Sequence, residues 1–154
     1  MNTKNAIVTG ASQGIGAATV EAFLKRGYSV VANSRNITKA NPFPASPNLA
    51  LVDGDISDPN TAAKIVNSAV SRFGRIDALV NNAGIFFSKH FTDYTLDDLR
   101  SLSSVNIEGF LFMTQLAIKQ MLAQKTGGSI VTITAALARN PTASQLMSAA
   151  PYNE

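Results

Sequence analysis

The sequence predicts an α/β fold, a doubly wound parallel sheet of about five strands with helices on its faces. Three observations carry this expectation. Short apolar runs alternate with longer segments of helical periodicity, the pattern of parallel strands joined by crossover helices. Those runs are rich in Val, Ile and Leu, as strands covered on both faces must be. A glycine-rich turn joins the first run directly to the first helical segment. With 154 residues, of which 45% are hydrophobic and 15% charged, the chain suits one compact domain that buries roughly 70% of its unfolded surface.

The elements follow in order. The first strand spans residues 6–9, and the first helix follows Gly16, with Ala18, Ala22 and Phe23 facing inward and Gly27 as its stop. The second and third strands cover residues 29–33 and 49–52. Between them Pro42, Pro44 and Pro47 argue against a regular crossover helix, so residues 36–48 are expected to form a loop. Next, Ala62, Ile65, Val66, Ala69, Val70 and Phe73 recur at helical spacing, with Asp58 as N-cap, Pro59 in the first turn and Gly74 past the end. The fourth strand is 78–81. A helix over 96–122 starts at an N-cap, Thr95, with Asp98 three residues on in the manner of a capping box. Phe110, Leu111, Phe112 and Met113 are consecutive on it and point around most of its circumference, more than one sheet can cover. Two readings remain open: a core helix covered by a further helix, or an oligomer interface. The fifth strand is 130–134, which gives a domain over 1–138. Residues 139–154, with two prolines and no helical period, are expected to form an irregular tail.

Composition removes several function classes. Without cysteine there is neither a disulfide framework nor a thiolate metal site, and the single His90, read as a loop residue, cannot build a histidine cluster, so no metal is expected. The net charge is +3, and the densest basic spot is the pair Lys25–Arg26; no run follows a phosphate backbone, so no nucleic-acid partner is expected. Ala6, Ile7 and Val8 are too short an apolar stretch for a signal peptide or a membrane span. A soluble, cytoplasmic protein is the expectation.

Chemistry is concentrated in the turn Thr9-Gly10-Ala11-Ser12-Gln13-Gly14-Ile15-Gly16. Lying between a strand and a helix, it is placed as a dinucleotide-binding turn is. Gly10 permits the sharp bend, Gly14 lets backbone approach a pyrophosphate, and Gly16 allows close contact of helix and strand, while the helix N-terminus offers unpaired N–H groups to phosphate oxygens. The turn's Ser12, Gln13 and Ile15 are therefore candidate contacts. After the second strand, an acidic side chain would select the ribose 2′-hydroxyl of NAD. Here stand Ser34, which has no charge to repel a 2′-phosphate, and Arg35, which can pair with one. NADP is therefore the expected cofactor, ahead of NAD, although Gln13 is not a basic residue.

The spacing G-x-x-x-G-x-G, followed by Asp53-Gly54-Asp55-Ile56, Asn81-Asn82-Ala83-Gly84 and Ser104-Val105-Asn106-Ile107, resembles the short-chain dehydrogenase/reductase family over residues 4 to about 138. The resemblance implies a Rossmann-like sheet of strand order 3-2-1-4-5 that lacks the family's C-terminal helix and strands. It implies that Asp55 and Ile56 flank the adenine ring, that Asn82, Ala83 and Gly84 line the cofactor site, and that Asn106 is the active-site asparagine. The family transfers hydride between NAD(P)(H) and a carbonyl or alcohol, here expected to be small, using a Tyr, a Lys four residues later, and a Ser. The Ser position falls on Ala135, which cannot donate a hydrogen bond, and Thr134 beside it points to the other face of a strand unless a bulge intervenes. The Tyr position falls near Ser148, and no lysine follows Tyr152. The expectation is a truncated, inactive or impaired family member, with a noncatalytic dinucleotide-binding or interaction module, or a nonfunctional truncation product, as the alternatives. An uncovered surface at Phe110–Met113 would make it a homo-oligomer or association-prone through helix 96–122.

Overall fold

The computed structural model describes residues 3–135. The expected tail 139–154, with Ser148 and Tyr152, lies outside the described residues. Five strands, β1 (Asn5–Val8), β2 (Ser29–Ser34), β3 (Leu49–Asp53), β4 (Ala78–Asn81) and β5 (Ser129–Thr132), form one sheet in the order β3-β2-β1-β4-β5. Every pairing is parallel, with Ala6 opposite Val30 on one side of β1 and Ala78 on the other. This is the expected Rossmann-like topology. β5 ends at Thr132, two residues sooner than its sequence suggests, though the Ile133 N–H still donates to the Asn81 carbonyl at 2.9 Å.

Alternation along the strands divides the core between the two faces. Ile7, Val31 and Leu79 face α3 (Pro59–Phe73) and α5 (Gly109–Ala123), which contribute Ile65, Ala69, Met113 and Ala117. Val8, Val30 and Ala32 face α1 (Gly14–Lys25) and α2 (Ile37–Ala40), with Val20 and Ile37 beneath them. α1 starts at Gly14, and its inner face is Gly16, Ala17, Val20 and Leu24 with Phe23, so Ala18 is exposed rather than inward. Close seating of Gly16 fixes the helical phase, and Ala18 lies 200° around the helix from Val20 at 100° per residue. The proline segment is irregular as expected, except that its first residues complete the single turn α2.

The ends of α3 follow the sequence. Asp58 accepts from the Asn60 N–H at 2.9 Å, Pro59 opens the helix, and Gly74 closes it at φ 77°. The segment expected as one helix over 96–122 is in three parts: α4 (Leu96–Ser103), a π-helical turn at Ser104–Glu108, and α5. Its start is the expected capping box, with Thr95 Oγ1 accepting from the Asp98 N–H and Asp98 Oδ2 from the Thr95 N–H. Met113, Ala117 and Met121 are buried against the sheet, whereas Phe110, Leu111, Ile118 and Leu122 are exposed, Leu122 by 72%.

Candidate functional site

The glycine turn is shaped by backbone approaching backbone. Gly10 has φ 64°, and a Cβ there would lie 2.8 Å from the Ala83 Cα. At Gly16 a Cβ would strike the Gly10 carbonyl oxygen and come within 2.6 Å of Asn82 Nδ2. Helix α1 therefore rises directly off the end of β1. Its N-cap, Gln13, makes no side-chain capping bond, and the first turn holds no acidic residue, so the first N–H groups and the positive end of the helix dipole are left to an outside anion.

Thr9 secures this turn to the neighbouring one. It is 1% exposed, and its Oγ1 accepts from the backbone N–H of both Asn82 (3.1 Å) and Ala83 (3.0 Å). In return Asn82 Nδ2 donates to the carbonyls of Thr9 and Gly10, both at 3.1 Å. Asn81, one residue earlier, donates to Thr114 Oγ1 on α5 at 3.0 Å. On the other side Asn33 Nδ2 donates to the carbonyls of Val52 (3.0 Å) and Gly54 (3.2 Å), tying the end of β2 to the turn after β3.

These turns surround one cavity of about 380 Å³ at the C-terminal ends of β1 to β4, where the strand order reverses. Of the sequence-predicted residues, Gly10, Ser12, Gln13, Gly14, Ile15, Arg35, Asp55, Ile56, Asn82, Ala83 and Gly84 line it together. Three do not. Gly16 sits behind the turn as a contact surface for Gly10 and Asn82. Ser34 lies between Asn33 and Arg35, which both line the cavity, and strand alternation turns it to the opposite side. Asn106 is buried, and both ends of its side-chain amide are taken: Oδ1 accepts from the Ile85 N–H at 2.9 Å and Nδ2 donates to the Ile85 carbonyl at 3.0 Å. Its side chain is thus a brace for the loop after β4, and the neighbouring Ile85 and Val105 reach the cavity instead. Asn33, Gly54, Ile85 and Val105 line the cavity without having been singled out in the sequence; period-2 alternation back from Arg35 was the available signal for Asn33.

The site's charges are Arg35 and Asp55. The Ser57 backbone N–H (3.0 Å) and hydroxyl (2.7 Å) both donate to Asp55 Oδ1, and with the charge of Arg35 they hold this carboxyl below the usual carboxylate range. Beyond Ile85 the loop is braced again: Tyr94 OH donates to the Phe87 carbonyl at 2.9 Å, the two rings stack at 6.0 Å, and Lys89 Nζ donates to both oxygens of Asp98 at 2.8 and 2.7 Å. Lys89 first, then the Thr95 N–H, lowers Asp98 to about 2. Thr134 and Ala135 lie past the end of β5. Among the described residues no three His, Asp or Glu side chains are grouped to hold a metal, and no helix is long and apolar enough to cross a membrane.

Residues 4–150 match the family model described as short chain dehydrogenase. The chain is 36% identical over 140 residues to L-rhamnose 1-dehydrogenase (NAD(P)(+)) of Sphingomonas sp., covering 84% of this chain and 54% of that one. It is 35% identical over 134 residues to the NADP-dependent (R)-specific alcohol dehydrogenase of Lentilactobacillus kefiri, covering 84% and 53%. The crystal structure of 3-ketoacyl-(acyl-carrier-protein) reductase from Brucella melitensis complexed with NADH superimposes with a TM-score of 0.89 at 27% identity, over 96% of this chain and 64% of that one. The chain spans about half the length of the curated relatives that it matches.

Proposed function

Because this chain belongs to the short-chain dehydrogenase family of NAD(P)-dependent oxidoreductases, we propose that the cavity at the ends of β1 to β4 holds a nicotinamide dinucleotide, NADP(H) in preference to NAD(H). The observation that carries the reading is the uncapped start of α1 facing the same cavity as Arg35. The first-turn amides bind the pyrophosphate, Gly14 leaves open space above the backbone where those oxygens must come close, and Arg35 pairs with the 2′-phosphate. Ile56 gives the adenine an apolar wall, and Asp55 accepts from its amino group. The lack of any carboxylate at Ser34 or Arg35 and the NADP dependence of the Lentilactobacillus relative both support the preference.

The bound cofactor supplies hydride to, or takes it from, a small carbonyl or alcohol. What the chain contributes is position. Asn106 holds Ile85, and Ile85 with Val105 closes the cavity beyond Gly84. Ala135 presents a methyl group where the family has a serine hydroxyl, so polarisation of a carbonyl cannot come from that position. This favours a second reading, in which the chain binds dinucleotide in the cytoplasm without efficient turnover of its own. Fluorescence titration with NADPH tests the binding: saturation is expected, and no binding at millimolar nucleotide removes the proposal. Following NADPH absorbance with a panel of aldehydes and ketones separates the two readings, since brisk turnover by the pure protein excludes the second.

A further inference from the structure

Two charges of opposite sign share the cavity, and only one is anchored. Both Asp55 donors come from Ser57, two residues away, and both end on Oδ1, so the carboxylate is fixed by its own turn. Among the described residues Oδ2 has no hydrogen-bond partner, and no carboxylate lies within ion-pair distance of Arg35, which is exposed. Arg35 and Asp55 follow the paired strands β2 and β3, line the same cavity and act on one another there. The Ser57 donors, and after them the charge of Arg35, hold the Asp55 carboxyl below the usual carboxylate range, so it carries its charge at neutral pH.

We infer that Asp55 is a specificity-determining residue that holds down this chain's preference for a 2′-phosphate. The inference rests on the dinucleotide reading above. A dianionic 2′-phosphate seated at Arg35 meets a fixed negative charge at the neighbouring strand end, since β2 and β3 pair with Ser34 opposite Asp53, and that charge also offsets part of the attraction from Arg35. A 2′-hydroxyl at the same place is neutral and meets neither effect. Contacts of Asp55 with the adenine are common to both cofactors and cancel in the ratio of their affinities. Asp55 thus sets the ratio, while Arg35 sets its direction.

The test compares dissociation constants for NADPH and NADH in the wild-type protein, Asp55→Asn and Asp55→Ser. Asparagine keeps an Oδ1 acceptor for Ser57, and serine removes the charge by another route should the first variant fold poorly; circular dichroism checks both. Removing one charge from this solvent-lined cavity is expected to raise NADPH affinity relative to NADH about three- to tenfold. The gain should shrink at high salt, as an exposed Coulomb effect must. A ratio that stays constant while both constants move together overturns the inference and reduces Asp55 to an adenine contact. A ratio that moves toward NADH overturns it too. Wild-type protein that binds neither nucleotide overturns the underlying dinucleotide reading, and that outcome is distinct because no ratio then exists.

Discussion

A single hydroxyl, Oγ1 of Thr9, satisfies the amides of Asn82 and Ala83, so Thr9→Val strands two donors beside a buried position. Leaving them unmet is expected to destabilise the fold by about 2–3 kcal/mol, with Thr9→Ser close to wild type; equal urea midpoints for the two variants would sink this account. Gly16→Ala acts by shape alone, driving a methyl into the Gly10 carbonyl. The turn must open to admit it, and NADPH affinity is expected to fall at least about tenfold, the effect of losing 1.4 kcal/mol; titration with the folded variant checks it. The three glycines were legible because few other residues tolerate such bends and approaches. Ser34 shows where residue-level reading stopped. Counting along the chain found the right end of β2, but which of two neighbours lines the cavity depends on strand phase, and Asn33 and Arg35 take that side. Asn106 likewise stood out in sequence, yet that both of its amide groups close on Ile85 depends on a loop 21 residues away.

Helix ends were the most readable elements, since caps are local chemistry. Asp58, Pro59 and Gly74 bound α3 as expected, and Asp58→Ala should lower stability by about 1 kcal/mol in thermal melts. Helix interiors were less readable: Phe23 packs inward as expected, but Ala18 was placed on the inner face of α1 because the helix's apolar residues go almost all the way round, and close contact at Gly16 decides the phase. No residue pattern announces the π-helical turn at Ser104–Glu108, whose widened geometry coincides with the inward seat of Asn106. The start of α4 has a pH signature. Asp98 lies at about 2 against an ordinary 3.8, so its contribution to stability is complete above the ordinary value and is lost as pH falls through the lowered one. NMR titration of the Asp98 carboxyl should give a midpoint near 2, and Lys89→Met, which removes the largest cause, should move that midpoint upward. An unchanged midpoint would mean that Lys89 is not engaged in solution.

At the scale of the molecule, a parallel sheet with helices on its faces was legible because apolar runs alternate with helical periods, whereas the strand order was legible only through the family resemblance carried by the glycine turn and the later motifs. How the outer surface of α5 is covered was not, since consecutive apolar residues say only that more than one neighbour is needed. Leu111, Ile118 and Leu122 are exposed on the helix side away from Met113 and Ala117, and Phe110 is exposed as well. Sedimentation velocity is accordingly expected to show self-association that Leu111→Lys with Ile118→Lys abolishes, and a monomer at all concentrations for the unsubstituted chain would count against it. β1 also constrains the order of events during synthesis. Its partners on one side lie in β4, with Ala6 beside Ala78, and Thr9 bonds to residues 73 and 74 positions further on. Closing a loop of that length is slow and unrewarded until its far end exists. A nascent chain halted on the ribosome before Asn82 carries the complete glycine turn and its Ala11–Asn33 backbone bond, yet lacks the bonds of Thr9 and Gly10 to Asn82 and Ala83. On the dinucleotide reading proposed above, nucleotide stabilises the finished domain but meets no complete site on the first half of the polypeptide as it emerges, because Asn82, Ala83, Gly84, Ile85 and Val105 line the cavity.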